Sequence, residues 1–391
     1  MKNLKKFGIV KILILFIILV LGTVSVFDFG VKYSVTPLQN SAPVVKRLTK
    51  TIYPTQYSDL HITSNAVVSD PSFRDLGLFD AGSLVANTIS TITKDVSKET
   101  GEEKGTWLWT PILEITPKYA DYIVSGAKKN NINTIYLSVD SYLDIFILGD
   151  GPEKEAKILA FNKIVENFIS TANKNGISVD AEGGWRNWAE NGNTYKAFAI
   201  LNYVKDYNKT HTAKFRGFQY DIEPYLLSRY EKNKASVLTN FLNLTGETVN
   251  RLNNTDLEFS VVIPEFYDGT NNDTPSFTYL GQSGFAVDHL LTLLNRRSGS
   301  KIVIMSYRNF SKGDDGSLQI SQDEINKANK SKTKVVIAQE TGDVKPPYVT
   351  FHNTTKSYLL KQVSTIEKTL AKEKSFGGVA IHYANAFLDL K

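Results

Sequence analysis

Residues 215–224 read FRGFQYDIEP, in which Phe218, Tyr220 and Ile222 alternate with Gln219, Asp221 and Glu223 until Pro224 ends the run. Such alternation marks a β-strand, whose successive side chains point to opposite faces. One face here is apolar and aromatic; the other carries an amide and two carboxyls. A strand of this kind needs a hydrophobic layer on one side and an enclosed polar space on the other. A sheet curled into a barrel and wrapped by helices supplies both.

Working outward, seven more runs have a similar make-up: TWLWTP (106–111), NTIYLSVD (133–140), ISVDAEGG (177–184), LEFSVVIPEF (257–266), KIVIMSYRNF (301–310), KVVIAQET (334–341) and GGVAIHYANAF (377–387). Helix-compatible segments lie between them at 117–129, 153–174, 194–207, 231–253 and 356–373, long enough for the crossovers that parallel strands require. The segments after the fifth and sixth runs are weakly patterned. Eight strands alternating with helices predict an α/β chain folded as a (β/α)8 TIM barrel over residues 105–391.

Lys2, Lys5, Lys6 and Lys11 lead into the apolar run ILILFIILVLGTVSVF (12–27). The positive flank and the length of the run predict a signal anchor over residues 1–30, and no Ala-x-Ala pattern marks a cleavage site. The barrel is therefore expected outside the cytoplasm, tethered to the membrane, or secreted if the signal is cleaved. Residues 31–104 have scattered prolines, no sustained periodicity and a charged end, and read as a stalk or a small irregular subdomain.

The formal net charge is +5, but the four N-terminal lysines against Asp28 leave only +2 beyond residue 30. A nearly neutral body without a basic stripe argues against nucleic acid as a partner. With no cysteine, disulfides and thiolate metal sites are excluded. No metal-ligand spacing joins His61, His211, His289, His352 and His382, no phosphate-cradling loop occurs, and KGDDGS (312–317) lacks the distal Glu of a calcium loop. Chemistry without a cofactor is the expectation. The 19 Tyr and 21 Phe suit sugar rings, which stack on aromatic faces, as well as a large core.

Barrel active sites lie at the carboxyl ends of the strands. Those ends offer Trp107 and Trp109, Asp140, Asp180 with Glu182, Asp221 with Glu223, Glu265, Tyr307, Gln339 with Glu340, and His382 with Tyr383. Asp140 taken alone reads as an ordinary helix cap. Asp180 and Glu182, followed by Trp185 and Trp188, form a second rim cluster suited to sugar hydroxyls, with Trp185 stacking on a ring or anchoring a loop. Asp221 and Glu223 share a face in an enclosed space, where two carboxyls cannot both ionise freely. One of them is expected to hold a proton near neutrality, as a general acid must. The bland alternative is a structural polar cluster satisfied by Arg216 or Tyr307.

GFQYDIE resembles the strand-four signature Asp-Gly-x-Asp-x-Asp-x-Glu of glycoside hydrolase family 18, the chitinase and endo-N-acetylglucosaminidase family. Gly217, Asp221 and Glu223 match; Arg216 and Gln219 stand where that signature has two further Asp residues. The resemblance implies Glu223 as the acid, Asp221 as the residue orienting the substrate acetamido group, and that acetamido group as nucleophile. Met305-Ser306-Tyr307 is similar to the family's strand-six Met-x-Tyr, implying a hydrogen bond from Tyr307 to the acetamido oxygen, although Arg308 replaces the Asp that usually follows. GGVAIHYA is similar to the family's last strand, with His382 in place of its floor Trp. Ile222-Glu223-Pro224 with Gln339-Glu340-Thr341 also resembles retaining barrel glycosidases that carry the acid on strand four and a Glu nucleophile on strand seven. That second resemblance implies Glu340 as nucleophile, about 5 to 5.5 Å from Glu223. Both imply Glu223 as acid and a glycan as substrate, with Trp107, Trp109, Asp180, Glu182, Trp185, Gln219, Glu265, His382 and Tyr383 around it. A barrel that binds glycan without cleaving it is the third expectation.

Overall fold

The computed structural model describes residues 102–391. The expected anchor and residues 31–101 of the expected stalk lie outside the described residues. Among the described residues no helix is long and apolar enough to cross a membrane.

Eight parallel strands close into a barrel in which each pairs with its neighbours in sequence and the last pairs with the first. They are β1 (Glu103–Leu108), β2 (Thr134–Ser138), β3 (Ser178–Gly183), β4 (Gly217–Tyr220), β5 (Glu258–Pro264), β6 (Ser300–Met305), β7 (Lys334–Glu340) and β8 (Phe376–His382). All eight overlap the runs read from the sequence, β1 starting three residues earlier and the last run extending into the helix that follows β8. The crossovers are α1 (Pro117–Lys129), α2 (Pro152–Lys174), α3 (Thr194–Thr210), α4 (Lys234–Arg251), α5 (Ala286–Leu294), α6 (Gln322–Ala328) and α7 (Lys356–Leu370), and α8 (Ala384–Asp389) follows the last strand. Local chemistry starts several of them. The Thr116 side chain accepts from Tyr119 N–H ahead of Pro117, and Thr355 does the same for Tyr358 N–H, satisfying amides that the first turn leaves unpaired.

Strand faces divide as the alternation in β4 requires. Outside the sheet, Phe218 stacks parallel to Phe259 of β5, and Tyr220 OH is 3.0 Å from Thr248 Oγ1 of α4. Inside, Trp107 of β1 donates through Nε1 to Gln219 Oε1 at 2.7 Å, and Gln219 Nε2 donates to Ser260 Oγ at 3.0 Å. Trp107 and Gln219 are both 0% exposed. They fill a layer of the barrel interior, bonded to each other and to Ser260.

The amino-terminal end of the barrel is closed by charge. Arg216 donates to Asp180 through Nε (2.9 Å) and Nη2 (2.6 Å) and to Glu103 through Nη2 (3.0 Å). Lys301 Nζ is 2.6 Å from Glu103 and 2.7 Å from Glu258, and Tyr136 OH donates to Glu103. Burial opposes ionisation of Glu103, but Lys301 and Arg216 hold its carboxyl down to about 2. This anchoring explains why β1 begins at Glu103, ahead of the boundary at 105 drawn from the sequence. It also places Asp180 in the floor, paired to Arg216 and away from the rim where it was expected. Closure of β8 on β1 needs Gly378, whose φ of +128° suits glycine and where a Cβ would come within 2.0 Å of Glu103 O.

Candidate active site

Glu223 owes its position to the way β4 ends. Asp221 N–H donates to Gly183 O at 3.2 Å, which prolongs the ladder by one residue. Pro224 then opens a short 3-10 turn, Pro224–Leu226, that cannot continue the sheet. Between them Glu223 stands at the mouth of the barrel, partly exposed. Tyr225 OH donates to its Oε1, and the Tyr225 ring is wedged edge-on against Phe266 and Tyr267. Burial and then the charge of Asp221 push the Glu223 carboxyl well above the usual carboxylate range; Tyr225 and Arg186 pull it down and Glu340 raises it. A protonated carboxyl at the mouth of a barrel is a donor for a leaving group.

The neighbouring strand ends supply a carboxyl cluster around Asp221. Asp140 follows β2 and accepts from Gly184 N–H at 3.2 Å. Burial pushes its carboxyl up to about 8, against the pull of that N–H and with help from Asp221. Glu182, near the end of β3, is likewise raised by burial and then by Asp140 and Asp221. Glycines permit this crowding. A Cβ on Gly184 would stand 1.9 Å from Asp221 O, and one on Gly183 would stand 2.7 Å from Asp140 Oδ1. Carboxyls this close in a desolvated pocket share protons because they cannot all carry charge. Asp140 was passed over in the sequence as a cap. Its signal was position: β2, β3 and β4 each bring an acid to the same height. Glu182 is 2% exposed and acts on Asp140 and Asp221 through its charge.

The opposite wall is aromatic. Trp109, just past β1, packs edge-on to His382 (4.4 Å between ring centroids) and tilts against Tyr383 (5.3 Å). Tyr307, just past β6, lies 5.6 Å from the His382 ring. Glu340 ends β7 and is 0% exposed. Its Oε1 accepts from Gly342 N–H at 2.6 Å, and its Oε2 lies 2.7 Å from His382 Nδ1. The structure thus gathers Glu223, Asp221, Tyr307, Glu340, His382, Tyr383 and Trp109 at one end, with Glu340 set behind His382.

Glu265, after β5, lies at the same end, 3.7 Å from Arg308 Nη1. Asp315 grips Arg308 through both carboxyl oxygens at 3.0 Å. Trp188 is buried and anchors the loop after β3, whereas Trp185 stays partly open with Arg186 5.1 Å over its ring. Arg216 is committed to Asp180 and Glu103 in the floor, and the cation that acts on Glu223 is Arg186.

No protein-family model and no curated protein matches the sequence. Among solved structures, the chain is similar to the endo-1,4-β-D-mannanase of Thermotoga petrophila RKU-1, at 10% identity and a TM-score of 0.50, over 72% of this chain and 88% of that one. A second endo-β-1,4-mannanase structure from Thermotoga petrophila gives 10% and 0.50 over 74% and 69%. A GH18 chitinase from Pseudoalteromonas aurantia gives 16% and 0.44 over 72% and 93%. At such identities the likeness to the mannanases establishes the (β/α)8 fold.

Proposed function

We propose that this barrel hydrolyses glycosidic bonds in a glycan, with Glu223 as general acid and then general base. The observation that carries the proposal is the raised Glu223 carboxyl at the carboxyl end of β4, donated to by Tyr225 and flanked by Asp221. Bond cleavage needs a proton at the leaving oxygen and a second group to stabilise the cationic sugar. The aromatic wall of Trp109 and Tyr383 gives a sugar ring a face to stack on.

For the second group, an N-acetylated amino sugar is favoured, its acetamido oxygen attacking the anomeric carbon while Asp221 and Tyr307 hold it. Water then opens the intermediate, with Glu223 taking the proton. The location of Glu340 supports this choice over a Glu340 nucleophile, because its side chain is fully buried, with Oε1 accepting from Gly342 N–H and Oε2 facing His382. A non-catalytic glycan binder is disfavoured by the direction of the Glu223 shift, since a relic carboxyl paired to a cation would be depressed.

Labelled glycans with and without N-acetyl groups test the proposal. The full chain is expected to cleave the N-acetylated ones, and Glu223→Gln to lose about 10²- to 10⁴-fold in rate. Binding without cleavage by the wild type would return the barrel to the glycan-binding alternative. The lysine-flanked apolar run 12–27 supports a further proposal, that the barrel works outside the cytoplasm on a membrane tether. Cleavage of the barrel by protease added to intact cells tests that placement.

A further inference from the structure

The loop after β3 carries a cation, Arg186, whose charge reaches Glu223 but to which the steps above give no contact with substrate. Arg186 opens the turn Arg186–Ala189, which packs against the turn Pro224–Leu226 that follows Glu223. The loop is fixed at two points: Trp188 is buried beneath it, and Glu190 Oε1 accepts from Arg229 Nε at 2.9 Å. Its guanidinium stands 5.1 Å over the Trp185 ring, half-exposed.

Other described arginines away from the open surface have an acceptor: Arg216 has Asp180, Arg229 has Glu190, Arg297 has backbone carbonyls and Arg308 has Asp315. Arg186 has neither a hydrogen-bond nor an ion-pair partner among the described residues. A guanidinium with its fork unfilled, placed over an indole by a pinned loop, is preorganised for a planar or tetrahedral anion.

We propose that Arg186 recognises an anionic group, a carboxylate or a phosphate, on the sugar bound beside Glu223, so that the glycan taken by this barrel is acidic. The proposal rests on the reading of this end of the barrel as a glycan site. Burial pushes the carboxyls of Asp140, Glu182 and Glu223 upward, toward their uncharged forms, which lessens their repulsion of an anion held by Arg186.

Calorimetry on the full chain carrying Glu223→Gln, which stops turnover, tests this with three probes. They are an N-acetylglucosamine tetrasaccharide, an alternating N-acetylglucosamine–glucuronate tetrasaccharide, and the first tetrasaccharide phosphorylated. An anionic probe is expected to bind at least about tenfold tighter than the neutral one. Preference for glucuronate assigns a carboxylate, and preference for the phosphorylated probe assigns a phosphate. Adding Arg186→Gln should erase the preference, and Arg186→Lys, which keeps charge but not the fork, should retain part of it. Equal binding of neutral and anionic probes, or a preference that survives Arg186→Gln in a variant of unchanged circular dichroism, overturns the proposal. Anion preference in a protein whose wild type cleaves nothing would sink the hydrolase reading alone; cleavage without preference would sink this one alone. Binding of none of the probes would overturn both.

Discussion

His382 Nδ1 lies 2.7 Å from Glu340 Oε2 across the ends of two adjacent strands, and Gly342 N–H fills Oε1 of the same carboxyl at 2.6 Å. Glu340 is therefore buried beside His382, which packs against Trp109 and Tyr307, and its Oε2 faces that imidazole. Incubation with an activated 2-fluoro glycoside should leave the intact protein mass unchanged, and Glu340→Gln should retain measurable cleavage. A stable glycosyl adduct mapped to Glu340 would move the mechanism to the two-carboxylate retaining scheme.

Asp140 gives a pH signature. Its folded carboxyl is pushed up to about 8 from 3.8, so the folded state favours the protonated form. Its contribution to stability is complete below about pH 4 and lost as pH rises through about 8. Thermal melting of the wild type should decline over that window more steeply than that of Asp140→Asn, whose amide does not titrate. Parallel curves would remove Asp140 from the proton-sharing cluster.

The floor is structural. Removing Arg216 strands the almost fully buried Asp180 and leaves Glu103 to Lys301 and Tyr136, and a stranded buried charge costs about 3–5 kcal/mol. Arg216→Met should lower stability to urea by that amount while leaving substrate KM unchanged. Glu103, held down to about 2 against a usual 4.5, stabilises the fold above about pH 4.5, and that contribution is lost as pH falls through about 2. A large KM effect from Arg216→Met would return Asp180 to the substrate site.

How much of this was legible in the sequence follows from what each pattern encodes. Strands buried on both faces read as β-branched runs such as KVVIAQE, and all eight were found. Helix α5 was weakly marked because AVDHLLTLL is short and buried at most positions, leaving few polar residues to mark its outer face. Alternation told which face a side chain uses but not its height along the barrel. Asp180 and Glu182 share a face, yet one pairs with Arg216 in the floor and the other meets Asp140 and Asp221 near the top. Trp107 and Gln219, too, share a face with rim residues while bonding to each other in the barrel interior. Arg186 left no periodic trace, because a loop residue's neighbours are set by tertiary packing.

Glu324 of α6 is 0% exposed and neither of its carboxyl oxygens has a hydrogen-bond partner on another described residue. Burial and then Asp268 push its carboxyl well above 4.5, so stability complete below about pH 4.5 is eroded as pH rises. Glu324→Met, which removes the unsatisfied group, should stabilise the barrel at neutral pH by about 1–3 kcal/mol. A destabilised variant would show that the carboxyl has a partner in solution.

The most direct test of Glu223 as proton donor is the dependence of its loss on the leaving group. A natural glycosidic oxygen needs protonation to depart, whereas a dinitrophenolate does not. Glu223→Gln should therefore slow cleavage of a natural oligosaccharide by about 10²- to 10⁴-fold and slow release of dinitrophenol from the matching aryl glycoside far less. Equal slowing of both substrates, or of neither, would contradict the role assigned to Glu223.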